Sequence, residues 1–158
     1  MAEDSLTTNE FKDKLGMEWD LGVYEIEKGL IQRFAQAIDD PNPLWQDEEY
    51  ARKSKYGGLI APPALVIALG WDDFQADGPR ARAGLHGGTE LEYYQPIRAG
   101  DTITITNTLI DAQEKDSRRL GKMAVFTYER TYKNQRQEVV AKCRQLVINY
   151  RAEGVKRD

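Results

Sequence analysis

The segment Asp39-Asp40-Pro41-Asn42-Pro43-Leu44-Trp45 sets a carboxylate, an amide and an indole close together in the chain. Carboxylates are groups that acid–base chemistry uses, but Asp before Pro is also ordinary turn chemistry. Taken by itself, Asp40 reads as a turn or helix-terminal carboxylate. Trp45 reads either as a core ring or as a tunnel or interface aromatic, since a large ring with one polar tip suits both. Its N–H donates only and does not titrate. The single imidazole, His86, stands in Gly84-Leu85-His86-Gly87-Gly88 at the start of a candidate strand, where a surface or hydrogen-bonded strand histidine is expected. One histidine excludes a multi-His metal site, and one cysteine, Cys143, excludes an internal disulfide framework and a Cys-based zinc cage. Cys143 lies between Lys142 and Arg144 in an alternating run, so it is expected to face inward as a small apolar residue.

These groups need elements to hold them. The stripe Leu30, Phe34 and Ile38, widened by Ile31 and Ala35, predicts an amphipathic helix within EKGLIQRFAQAIDD. Pro41 ends it. Asp47-Glu48-Glu49 predict a short polar helical turn, with acids suited to a helix N-terminus, broken at Tyr56-Gly57-Gly58. Leu59 to Trp71 is apolar nearly all round from Ala64 on, which predicts a buried helix entered through Pro62 or Pro63. Period-two alternation then predicts strands over Leu85–Gln95, Thr102–Ile110, Met123–Tyr132 and Glu138–Tyr150. Helices first, followed by a meander of strands, is α+β with an antiparallel sheet wrapped around the apolar helix.

The chain has 158 residues, 41% hydrophobic and 30% charged, the profile of one ordinary globular domain. The expectation is a single domain over 1–158, with an ordered block from about 24 to 150 and polar tails. Twenty-two basic residues against 26 acidic ones give a formal charge of -4, which disfavours a nucleic-acid partner held by a broad basic face. The acidic, polar start lacks a signal-peptide pattern, and the longest apolar run is too short to span a bilayer. A cytoplasmic location follows as the expectation, with no membrane partner.

Asp40, Asn42, Pro43 and Leu44 resemble the signature of the MaoC-like hotdog hydratases, the (R)-specific enoyl-CoA hydratases, which reads roughly Gly-Asp-x-Asn-Pro-(Ile/Leu)-His. Tyr50-Ala51, Tyr56-Gly57-Gly58 and the run Tyr93-Tyr94-Gln95-Pro96-Ile97-Arg98-Ala99-Gly100-Asp101 extend the resemblance over most of the chain. Ala61-Pro62-Pro63 and Tyr132-Lys133-Asn134-Gln135 make it most similar to the N-terminal MaoC-dehydratase subgroup, like the dehydratase region of type-I fatty-acid synthases. The resemblance implies a hotdog fold, an acyl-CoA or acyl-carrier-protein thioester as ligand, and no cofactor. It also implies a homo- or hetero-oligomer with a second hotdog, because hotdogs of this family pair their sheets edge to edge and open edges are a liability.

In active members, Asp and His of the signature hold one water between them, Asn orients the pair, and a backbone N–H stabilises the enolate-like thioester oxygen. Two departures matter here. Trp45 stands where the histidine belongs and cannot shuttle a proton. Pro62-Pro63 replace the usual His-Gly, and Pro63 has no N–H to give. Each such loss costs about two orders of magnitude in rate or more. The chain is therefore expected to be the degenerate partner of a catalytic hotdog, shaping the acyl tunnel with Trp45 and Pro63 while Asp40 and Asn42 mark a vestigial site. Two rivals stay open. One is a self-sufficient homodimeric hydratase using Asp40 with His86 as second acid or base; the other is a non-catalytic acyl-thioester binding module. Tyr93 and Tyr94 are read as sheet packing. Arg80, Arg82, Arg98, Arg118 and Arg119 are read as solvated turn charges, with CoA phosphates or an acidic carrier-protein patch as the alternative.

Overall fold

A computed structural model describes residues 9–70 and 82–151. Five antiparallel strands form one sheet: β1 (Glu18–Glu25), β2 (Arg82–Tyr93), β3 (Thr102–Ser117), β4 (Gly121–Lys133) and β5 (Val139–Arg151), in the order β1-β3-β4-β5-β2. The long alternating runs of β3, β4 and β5 direct one face inward. Ile103, Ile105 and Leu109 alternate in β3, and Phe126, Tyr128, Arg130 and Tyr132 in β4. Cys143 is buried in β5, as its alternation with Lys142 and Arg144 predicts, and burial pushes its thiol pKa up.

The expected meander needs correction. A strand, β1, precedes the helices, and β2 pairs with β5 rather than with its sequence neighbour β3. Only β3, β4 and β5 follow one another as hairpins. Both β1 and β2 are sheet edges. β1 escaped the sequence reading because only Leu21 of its eight residues is buried, and Gly22, at φ +97°, breaks its register between Asp20 and Val23. A bulged, half-solvated edge strand has no alternation to show.

The first amphipathic helix forms as α2 (Lys28–Ala37), with Ile31 and Ala35 buried. Ile38, expected on its apolar stripe, is instead exposed, because the helix stops before it and Asp39 turns the chain at φ +52°. A short helix, α1 (Asn9–Asp13), had no sequence signal strong enough to name, yet Phe11 is buried against Phe126, ring centroids 4.7 Å apart.

The apolar stretch from Leu59 is also not one long helix among the described residues. Helix is confined to α5 (Leu65–Ala68). Leu59 to Ala61 run extended beside Ile97 to Ala99, tied by Ala61 N–H to Ile97 O (2.8 Å) and Ala99 N–H to Leu59 O (3.1 Å). Gly70, at φ +70°, follows the end of α5; a Cβ there would lie 3.3 Å from Ile105 Cδ1, so both conformation and space call for glycine. Trp71 and Arg80 lie outside the described residues, as does the side chain of Arg82. Leu65, Val66 and Leu69 nevertheless pack with Ile31, Ile103, Ile105 and Tyr132 in the main core. No helix among the described residues is long and apolar enough to cross a membrane.

Candidate functional site

The Asp40–Trp45 segment folds as two successive side-chain-capped turns. Asp40 Oδ1 accepts from Asn42 N–H at 3.1 Å, and Asn42 Oδ1 accepts from Leu44 N–H at 3.0 Å. Asn42 is thereby the N-cap of α3 (Pro43–Gln46), with Pro43 in the first turn, where a missing N–H costs nothing. The next helix, α4 (Glu48–Lys53), repeats the device with Asp47, as the acids at its start predict. The carboxylate and the amide that could do chemistry are thus each bonded to their own backbone.

Trp45, on α3, is buried at 7% exposure and faces a different environment. It lines an open, largely apolar cavity of about 410 Å³. One wall is Leu44 and Trp45; a second is Tyr56, Ile60, Ala61, Pro62 and Pro63, with Val66 of α5; the third is the end of β2 and the loop after it, Tyr93 to Ile97. The size suits a small-molecule ligand. Asp40, Asn42 and His86 are not among the described residues that line it.

Side-chain bonds reaching far along the chain hold these walls. Tyr93 donates its hydroxyl to Pro63 O at 2.9 Å, and Tyr132, fully buried, donates to Val66 O at 2.8 Å. Arg98 reaches the Tyr56 carbonyl. Asp101 locks the base of the loop: it is buried, its Oδ2 accepts from Arg98 N–H at 2.8 Å, and its Oδ1 accepts from the Gln135 side chain at 3.0 Å. The Gly100-Asp101 pair quoted in the sequence is therefore a structural clasp. Arg118 and Arg119 are exposed in the β3–β4 turn, as expected of solvated turn charges.

The tyrosine pair was misread as sheet packing. Tyr93 and Tyr94 are 46% and 53% exposed and line the cavity. The signal that would have found them is Pro96: aromatics two and three residues before a proline sit at a strand's end, where a ring can leave the sheet. Tyr56 has no role as a cavity residue in the sequence reading, where Tyr56-Gly57-Gly58 serves as a helix breaker and as a matched motif.

His86 is an exposed residue of edge strand β2, opposite Val147, with Nε2 3.0 Å from Thr89 Oγ1 across the register shift between His86 and Gly88. Trp45 and Pro63 are therefore brought together in the cavity, Asp40 and Asn42 adjoin it through the turn that carries Trp45, and His86 belongs to the sheet edge.

Chemically, the cavity holds better than it reacts. The titratable side chains among its described lining residues are tyrosine hydroxyls. Burial raises Tyr93, and the hydrogen bond to Glu92 raises Tyr94, so neither moves towards a base at neutral pH. The backbone N–H groups of Ile60, Ala61, Tyr94 and Gln95 are already bonded to carbonyls, and the three prolines have none to offer.

One antiparallel sheet packed against short helices, with an apolar cavity where the strand ends meet the loops, is a hotdog. The chain belongs to the FAS1-like dehydratase domain family, whose model, described as "FAS1-like, dehydratase domain region", matches residues 13–143. A MaoC-like dehydratase from Rhodospirillum rubrum superposes with a TM-score of 0.71 and 31% identity over 87% of this chain and 92% of that one. A chain of the 3R-hydroxyacyl-ACP dehydratase complex HadBC from Mycobacterium tuberculosis shares the fold, at TM-score 0.70 and 18% identity, over 86% of this chain and 97% of that one.

Among sequence relatives, a UPF0336 protein of Streptomyces avermitilis is 38% identical over 95 residues, 54% of this chain and 61% of that protein. A protein of Thermomonospora curvata named "Probable enoyl-CoA hydratase alpha subunit" is 27% identical over 140 residues, 77% of this chain and 44% of its own length. The chain thus spans less than two thirds of the length of either relative.

Proposed function

We propose that this chain is the acyl-holding subunit of an (R)-specific enoyl-thioester hydratase or 3-hydroxyacyl-thioester dehydratase, working beside a second, catalytic hotdog. The observation that carries the reading is the division within one turn: Trp45 lines an apolar cavity, while Asp40 Oδ1 and Asn42 Oδ1 each accept from a backbone N–H of the turn itself. Trp45 and Pro63 contact the acyl portion. Asp40 and Asn42 build the turn that presents Trp45, and His86 takes no part in proton transfer. The Thermomonospora relative's name, with its alpha subunit, and the two-component HadBC assembly support a heteromeric arrangement. Two long edge strands, β1 and β2, offer the surfaces on which a second hotdog completes the sheet.

Hydration of crotonyl-CoA and longer enoyl-CoAs, followed by loss of the enoyl absorbance, tests this. The expected outcome is negligible turnover by the chain alone and robust turnover when it is co-expressed with a hotdog carrying an intact Asp-x-Asn-Pro-x-His motif. Asp40→Ala in this chain should leave the mixed activity within about twofold, whereas the loss of a working general base costs about 100-fold or more. Strong activity of the chain alone, abolished by Asp40→Ala, would overturn the reading.

A further inference from the structure

Two cations meet at one residue of the cavity wall. Tyr56 is half-buried and lines the cavity. Lys55 places its Nζ 5.1 Å from the centre of the Tyr56 ring, a cation–π distance. Arg98, from the loop after β2, gives Nη1 to the Tyr56 carbonyl and keeps its other N–H groups. Both residues are exposed, and neither pairs with a carboxylate among the described residues. Glu49 binds Lys53 instead, and Asp101 takes the backbone N–H of Arg98, not its guanidinium. In a chain of formal charge -4, two such cations on one cavity residue are a local excess of positive charge. The residues that follow leave room for a guest. Gly57 is glycine for its backbone, at φ +71°. Gly58 has no such need: its φ is negative, and a Cβ built on it meets no protein atom within 4 Å. Glycine loses more conformational freedom on folding than any other residue, so one with neither a backbone nor a packing reason points to close approach by a ligand. The Gly58 N–H also bonds no acceptor among the described residues. The turn therefore offers two cations and a bare N–H, all donors, which together suit one negatively charged acceptor group.

We propose that Lys55, Arg98 and the Gly58 N–H form an anion-binding site at the edge of the cavity, which fixes the ligand by a negatively charged group while the apolar wall holds its carbon chain. The proposal rests on the reading that the cavity holds the acyl part of a thioester. The anion has two sources, a phosphate of a pantetheine arm or a carboxylate at the far end of the acyl chain. They set the ligand in opposite senses: a phosphate puts the carrier arm on the Tyr56 side, and a carboxylate puts the acyl terminus there.

Three thioesters separate the cases: S-octanoyl-pantetheine, which is neutral; S-octanoyl-phosphopantetheine, which adds a phosphate; and the pantetheine monothioester of octanedioic acid, which adds a terminal carboxylate. Each is titrated into the full chain by calorimetry at low and at high ionic strength. An anionic probe should bind about tenfold more tightly than the neutral one at low salt, and salt should shrink that advantage. The larger advantage, phosphate or carboxylate, assigns the source. Lys55→Gln and Arg98→Gln should each remove about threefold or more of it and leave the neutral probe unchanged. Gly58→Ala should leave urea stability unchanged or slightly raised, since its Cβ meets no protein atom, yet weaken the favoured anionic probe. Lys55→Gln alters only an exposed side chain, so the test stands even if Arg98→Gln disturbs its loop. Equal affinities for the three probes, or an advantage that survives in Lys55→Gln, would overturn the anion site and leave the acyl-holding reading standing. Failure of all three probes to bind would overturn both.

Discussion

The Asp40–Trp45 turn and the cavity wall opposite it are built on opposite plans. In the turn, bonds are local: Asp40 and Asn42 each reach two residues along the chain. In the wall they are remote: Tyr93 bonds a carbonyl 30 residues away and Tyr132 one 66 residues away. The contrast teaches where function can be read. A local turn keeps its shape whether or not its side chains retain a catalytic task, so a signature there does not by itself reveal chemistry. The wall exists only in the assembled fold, and its contents decide what the cavity admits.

Tyr132→Phe breaks the remote side of this comparison and should have the largest effect. It strands the Val66 carbonyl in the core, for a loss of about 1–3 kcal/mol measured by urea unfolding at neutral pH. It should also change the alkaline limb. Burial, the main cause, pushes the Tyr132 hydroxyl up to about 12 from 10.0. Between those two values the unfolded chain has ionised and the folded one has not, so stability is whole below pH 10 and falls as pH rises towards 12. The fall should be on the order of 3 kcal/mol. In Tyr132→Phe this contribution should vanish, which a series of unfolding curves from pH 9 to 12 would show.

Asn42→Ala breaks the local side. Losing the N-cap of α3 should cost about 1 kcal/mol by the same assay, and Asn42→Asp should restore most of it. A collapse of mixed-complex turnover in Asn42→Ala with little change in stability would instead assign that amide to chemistry.

Tyr93→Phe sharpens the comparison with the smallest shift. Tyr93 is half exposed, so freeing Pro63 should cost below about 1 kcal/mol, yet octanoyl-CoA affinity should weaken a few-fold as the wall loosens. Unchanged affinity would mean that Pro63 holds its place without the tyrosine.

Legibility in the sequence follows the same division. β3, β4 and β5 were readable because they are buried on one face and their period is strict. The order β1-β3-β4-β5-β2 was not, since period two says that a strand exists and nothing about its neighbour. The stretch from Leu59 misled because apolar composition is the same for a buried helix and for a buried extended loop; Pro62-Pro63 marked the junction, and only Leu65–Ala68 coiled. Trp45 and Pro63 were legible as departures from a motif. The tyrosines that line the same cavity were not, because their roles depend on a pairing between distant loops.

Three prolines, a buried indole and two anchored tyrosines leave the cavity wall few alternative rotamers or backbone angles. The ordering that a flexible pocket would undergo when a ligand arrives is already complete when the chain folds. Such a wall binds its matching shape with little loss of entropy in the protein, and it yields little to a shape that does not match. Affinity then falls steeply with the first carbon that does not fit, as stability does in a close-packed core when a methylene is forced in. A cavity of this kind behaves as a gauge of its ligand's outline more than as a solvent for its chain.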